Sequence, residues 1–208
     1  MNTGKKFEQN FRASVPDDFY YLRLNDPAQA FTGGKAIFAP HNPYDCIVFN
    51  GSLHCLELKS KNGAITFWAE KFERDGASHT FDIHKWQIFG LAKAATFPNA
   101  YAGLLMNFRN VGRTFYVPIN VFNQFVVGTT KKSINWQDAE NIGIEVGVRK
   151  LKVNERYDVR TLLKEVVERG RELQRSGADD SETGDTGLQV NGEAERERND
   201  NTADTDNG

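Results

Sequence analysis

A chain of 208 residues with 39% apolar side chains is long enough to build one ordinary domain around a filled core. No run of eighteen apolar residues occurs and the leading MNTGKKFEQNFR is polar and charged, so no membrane span or signal segment is expected and the cytoplasm is the expected location. The formal charge of −2 is unevenly spread: residues 176–208 hold ten acids against two arginines, net −8, which leaves +6 for residues 1–175. A basic body over 1–174 and an acidic tail over 175–208 are therefore the expected units. The tail has almost no apolar side chains to offset the entropy of ordering, so disorder is expected there. It serves either solubility or, by mimicking DNA, as a brake on the basic surface.

In chain order, TGKKFEQNFRAS opens with Thr3 as a cap and sets Phe7 and Phe11 at i, i+4, the mark of a short helix with one apolar stripe and Glu8 beside it. DFYYLRLND alternates like a strand. PAQAFTGGKAIFAPHNP, broken by Gly33-Gly34 and two prolines, reads as a loop. NPYDCIVFNGSLHCLELKSK then reads as two strands about an Asn-Gly turn, carrying Cys46 and Cys55, which are expected as reduced core residues. IHKWQIFGLAKAATFP places Ile88, Leu91, Ala92 and Ala95 on one helical face before Pro98. AYAGLLMNFR and RTFYVPINVF read as two further strands around RNVG. TTKKSINWQDAENIGIEV reads as a short helix with flanking segments, and DVRTLLKEVVERGRELQ as a closing amphipathic helix, apolar at Leu162, Leu163, Val166 and Val167. Helix, strands, helix, strands, helix predicts a mixed α/β domain.

The Asn-Gly hairpin raises a question of parity. With a two-residue turn at Asn50-Gly51, Asp45 and Glu57 would point to opposite faces of the sheet; a three-residue loop puts them, with Lys59, on one face. A three-residue loop is the expectation. Two carboxylates a few ångströms apart repel, and one must bind a proton unless a cation lies between them. An Asp, a Glu and the carbonyl of Leu58 suit a hard divalent ion that keeps its other positions for water and phosphate. Lys59 would then stabilise a phosphate or orient a water for in-line attack. The same letters also describe an ordinary amphipathic hairpin in which Asp45 caps a turn and Glu57 pairs with Lys59 on a solvated face.

These segments resemble the core of the PD-(D/E)xK nucleases, and the order of features resembles the RecU Holliday-junction resolvases, particularly the shorter phage relatives. The residues carrying the resemblance are Glu8, Asp45, the Glu57-Leu58-Lys59 run, IHKWQ with His84 and Gln87, AYAGLLMNFR before FYVPI, and KKSINWQDAENIGIEV, over roughly residues 4–146. Two departures stand out. Pro43-Tyr44 precedes Asp45 where relatives often carry Ser/Thr-Thr, and only a short stalk region fits between the first strand and the hairpin.

The resemblance implies a PD-(D/E)xK nuclease-like mixed sheet flanked by helices. It implies a Mg²⁺-dependent (or Mn²⁺-dependent) endonuclease that resolves four-way junctions and other branched DNA. Asp45 and Glu57 would hold the metal, Glu8 would be an extra acid at the site, Lys59 the catalytic lysine, and Gln87 would orient a phosphate or a water. Without it, Gln87 reads as a surface glutamine flanking a buried stripe, and His84 as a polar residue at a helix start. A junction is nearly two-fold symmetric and is cut on two strands, so a homodimer is implied. Candidates for phosphate contacts are Lys5, Lys6, Lys61, Arg109, Arg113, Lys131 and Lys132, with Lys61 foremost because it continues the face of Glu57 and Lys59. Tyr44 and Trp86 stand either in the core or as platforms for exposed bases. The rival readings are another PD-(D/E)xK enzyme acting on flaps or duplex, and a junction-binding accessory protein whose acids are structural.

Overall fold

The computed structural model describes residues 3–24, 30–32, 35–37, 41–72 and 80–182. Helix α1 spans Thr3–Arg12 and buries Phe7 and Phe11, as their spacing requires. Strand β1 is Tyr20–Arg23. Beyond it, where the sequence reads as a loop, β2 (Ala30–Thr32) and β3 (Lys35–Ile37) pair as a small antiparallel hairpin. Gly33-Gly34, which reads as a break, lies outside the described residues. The rest of the expected stalk region, residues 25–29 and 38–40, lies outside the described residues.

Strands β4 (Cys46–Phe49) and β5 (Leu53–Lys61) form the central hairpin. β6 (Ile65–Thr66) and a 3-10 turn over Glu70–Phe72 lead towards α2 (Lys85–Ala94), then β7 (Ala100–Phe108) and β8 (Arg113–Pro118). The eighth strand stops at Pro118, and Ile119–Gly128 is helix α3 rather than a continuation of the strand. INVF is rich in β-branched and aromatic residues, but Ile119 and Phe122 stand at i, i+3 and both are buried, so packing of a helical face overrides strand propensity. Lys71 donates to the carbonyls of Val126, Val127 and Thr129 at the end of α3, supplying partners that a helix C-terminus lacks. β9 (Ser133–Ile134), α4 (Trp136–Ile142) and β10 (Ile144–Glu145) match the expected short helix with flanking segments. A hairpin of β11 (Val148–Lys150) and β12 (Glu155–Tyr157) precedes α5 (Val159–Glu182), whose Leu162, Leu163 and Val166 are buried.

Six strands form one sheet in the order β1-β4-β5-β7-β8-β10. β5 and β7 run parallel, in register from Leu53↔Ala100 to Lys61↔Phe108, and their other neighbours run antiparallel. The sheet is mixed and helices flank it, the α/β class read from the sequence. Side-chain alternation divides two cores. Cys55, Leu104 and Met106 pack with α2, α3 and α4, whereas Leu56, Leu58 and Leu105 pack with α1 and the first turns of α5. Cys46 and Cys55 are free thiols in opposite cores.

The chain divides into two compact units, Met1–Glu172 and Leu173–Gly208. Of the second, the described part is the helical run of α5 to Glu182. The expected disordered tail lies otherwise outside the described residues.

Candidate active site

Phe49 pairs with Leu53, so residues 50–52 form the three-residue loop that parity requires, and Gly51 takes a φ of +101° that a side chain would disfavour. Within the loop Asn50 Oδ1 accepts from the Ser52 N–H at 3.3 Å and lies 3.1 Å from His54 Nε2. Ile47 and Cys55 contribute to the core beneath α2, and alternation carries Asp45, Glu57 and Lys59 to that same face. Asp45 sits just past the last ladder pair. Its N–H donates to the Leu56 carbonyl at 3.0 Å, its carbonyl accepts from the Leu24 N–H at 2.9 Å, and its Oδ2 accepts from the Leu58 N–H at 2.7 Å. Leu58 thus reaches the site through its N–H.

Glu57 is 1% exposed in the middle of β5. Its Oε1 faces two donors, Lys59 Nζ at 2.7 Å and Gln87 Nε2 at 2.5 Å. Its Oε2 is buried without a hydrogen-bond partner. Burial drives the Glu57 carboxyl up to about 8; Lys59 opposes the rise, and the neighbouring charge and contact of Asp45 add to it. An acid in this setting holds a proton at neutral pH unless a cation replaces it.

Gln87 is buried, not the surface glutamine that its helical position also allowed. Its amide oxygen accepts from the His84 N–H at 2.9 Å, which fixes the first turn of α2 and aims the amide nitrogen at Glu57. Gly90 brings this helix against the segment before Asp45: a Cβ there would stand 2.3 Å from Pro43 Cβ. The close approach needs glycine.

The structure brings together Asp45, Glu57, Lys59 and Gln87. Glu8 stands apart from a direct cluster: its Oε2 pairs with Arg23 at 2.6 Å, and among the described residues no group of three His, Cys, Asp or Glu forms a ready cation cage. Its charge still reaches the region, since the Cys46 thiol is raised by burial first, then by Asp45, and further by Glu57 and Glu8. Lys61 is tied to Asp82 Oδ2 at 2.5 Å, and Asp82 also accepts from the Thr66 N–H and hydroxyl at 2.7 Å each. Asp82 was not read from the sequence. An acid two residues ahead of a helix start looks like an end-of-helix residue, and nothing in one chain pairs it with a lysine on another strand. Trp86 stacks with His41 and His84, at ring separations of 4.5 and 4.2 Å, and Tyr44 packs against the core.

The other basic candidates separate into three groups. Arg113 bridges Glu140 and Glu145, each at 2.6 Å, over the rings of Phe115 and Trp136, and Lys131 pairs with Asp138 at 2.6 Å. Lys5 and Lys132 are exposed, and the Lys132 ammonium sits 5.7 Å from the Phe72 ring centre. Lys6 and Arg109 line a cleft on the other face of the sheet.

Fold and site together define a mixed α/β protein with two carboxylates, a lysine and an amide converging on the face of a central hairpin. No family model matches the chain. The SPbeta prophage-derived uncharacterized protein YotM of Bacillus subtilis (strain 168) is 30% identical over 183 residues, 81% of this chain and 88% of that protein, and the chain belongs to its family. Among solved structures, Hjc of Archaeoglobus fulgidus, described as a Holliday junction resolvase from an archaeal hyperthermophile, is similar with a TM-score of 0.43 and 16% identity, over 68% of this chain and 95% of that one.

Proposed function

We propose that the protein is a divalent-metal-dependent DNA endonuclease of phage type, acting on branched DNA such as four-way junctions as a homodimer. The observation that carries the reading is Glu57. A buried carboxylate with one oxygen lacking any donor, set against a second carboxylate, is a poor structural element and a good ligand for a hard cation. The residues fit Mg²⁺ or Mn²⁺: Asp45 and Glu57 would hold the ion, which keeps positions for water and a phosphate oxygen. When bound, such an ion polarises the phosphodiester and lowers the pKa of a water.

The chain's own groups have separable tasks. Glu57 gives up its proton to become a ligand. Lys59, 2.7 Å from Glu57, is positioned to steady the charge that builds on the phosphate during in-line attack. Gln87 orients Glu57 through its amide. The Leu58 N–H holds the Asp45 carboxylate in place. Glu8, tied to Arg23, is assigned an outer electrostatic part.

The test is incubation of labelled four-way junction, flap, single-strand and linear duplex with the full chain in Mg²⁺ or in EDTA. Paired symmetric nicks in the junction, abolished by EDTA, are expected. Cutting of every substrate would replace the branch-selective reading with that of a general nuclease, and junction binding without cutting would make the protein an accessory factor.

A further inference from the structure

On the face of the sheet opposite Glu57, a cleft of about 310 Å³ opens between α1, the ends of β5 and β7, and the β11–β12 hairpin. Its lining includes Lys6, Asn10, Ser60, Asn107, Arg109 and Lys150. Lys6, Arg109 and Lys150 form no ion pair with a described residue, and the one acid in the lining, Glu155, accepts from the Tyr157 hydroxyl at 2.9 Å. Three cations facing one acid leave the cleft with a net positive charge.

The floor is polar and built. Asn107 is 7% exposed; its oxygen accepts from the Ser60 hydroxyl and its nitrogen donates to Thr114 Oγ1, each at 2.9 Å. Asn10 is 6% exposed and lines the same cleft.

We propose that this cleft is a phosphate-binding subsite, separate from the two carboxylates. Lys6, Arg109 and Lys150 neutralise the anion, and Asn10 donates to one of its oxygens. The phosphate comes from a nucleic-acid backbone or from a small phosphorylated molecule; the first source rests on the nuclease reading and the second does not. Ser60 lies three residues beyond Glu57 on β5, about 10 Å along the strand, so a backbone passing the carboxylates and rounding the ends of β5 and β7 would reach the cleft.

The experiment uses the full chain, the double variant Arg109→Gln/Lys150→Gln and the control Lys152→Gln, whose exposed lysine lies on the same hairpin loop but outside the cleft. Thermal unfolding is followed while pyrophosphate replaces chloride at constant ionic strength, and binding of a fluorescent oligonucleotide is followed against salt in EDTA. The unliganded melting temperature of each variant reports its folding. If the cleft takes phosphate, pyrophosphate raises the melting temperature of the wild type and of Lys152→Gln, and the double variant loses that rise. With a backbone as the source, the double variant also shows a log–log salt slope shallower by about 0.7–0.9 for each phosphate that is no longer neutralised. With a small molecule as the source, the pyrophosphate effect is lost in the variant while oligonucleotide binding is unchanged or absent throughout. A double variant that matches the wild type in both measurements overturns the proposal.

Discussion

Glu57→Gln should make the metal-free protein more stable at high pH and leave it nearly unchanged at low pH. The folded-state carboxyl sits at about 8 against an ordinary 4.5, raised chiefly by burial. Its contribution is therefore full below the unfolded value, and it is lost as pH rises through the folded one. At about 1.36 kcal/mol for each pKa unit, the difference between pH 4 and pH 9 is on the order of 5 kcal/mol as an upper bound. Relaxation around the Lys59–Glu57 pair will reduce it. The glutamine keeps the shape and an acceptor for Lys59 but has no proton to lose. Urea unfolding of wild type and variant in EDTA at pH 5, 7 and 9 isolates the group, because other titrations cancel in the difference. Repeating the series with Mg²⁺ should stabilise the wild type more at pH 9 than at pH 5, since the ion must displace the proton, and should leave the variant little affected. A difference between wild type and variant that does not change with pH would refute the account of Glu57 as a buried, protonated carboxyl awaiting a cation.

Three further outcomes follow from the geometry. Gly90→Ala forces α2 away from Pro43, costing about 1–3 kcal/mol by overpacking, and should lower cleavage as well; unchanged urea midpoint and activity would show that the approach of α2 to the Asp45 segment does not matter. Gln87→Leu removes the donor to Glu57 and the acceptor for the His84 N–H, so urea unfolding at pH 7 should show a loss of about 1–3 kcal/mol from a buried group left unpaired. Lys61→Met should leave the salt dependence of DNA binding as it is, because Asp82 already neutralises that lysine; a slope shallower by nearly one unit would instead make Lys61 a phosphate contact.

The hairpin was the legible part of this chain. Asp45 and Glu57 can share a face only with an odd number of residues in the turn, so a shared site called for three, and the pairing of Phe49 with Leu53 supplies them. The alternating and i, i+4 patterns placed α1, β1, α2 and α5 because each presents one face to one core, and the apolar run of β7 was legible because it feeds both. The strand–helix change at Pro118 was hidden since Ile119, Val121 and Phe122 satisfy both periods over so short a run. The β11–β12 hairpin was missed because VRKLKVNERY is mostly polar, its one deeply buried anchor being Tyr157, edge-on to Phe7 at 5.4 Å. Charge was legible in total and not in detail: a single sequence gives Arg113 and Lys131 the same weight as Lys6 and Arg109 and puts Lys61 first, whereas the fold gives Lys61, Arg113 and Lys131 carboxylate partners.

The most direct test compares wild type with Asp45→Asn on a labelled four-way junction, scoring Mg²⁺-dependent nicking and equilibrium binding in parallel. Asparagine can still accept from the Leu58 N–H, so the fold should hold while a metal ligand is lost. The account predicts that nicking disappears and salt-sensitive binding stays close to normal. Nicking retained by Asp45→Asn would contradict the assignment of the Asp45–Glu57 pair as the metal site.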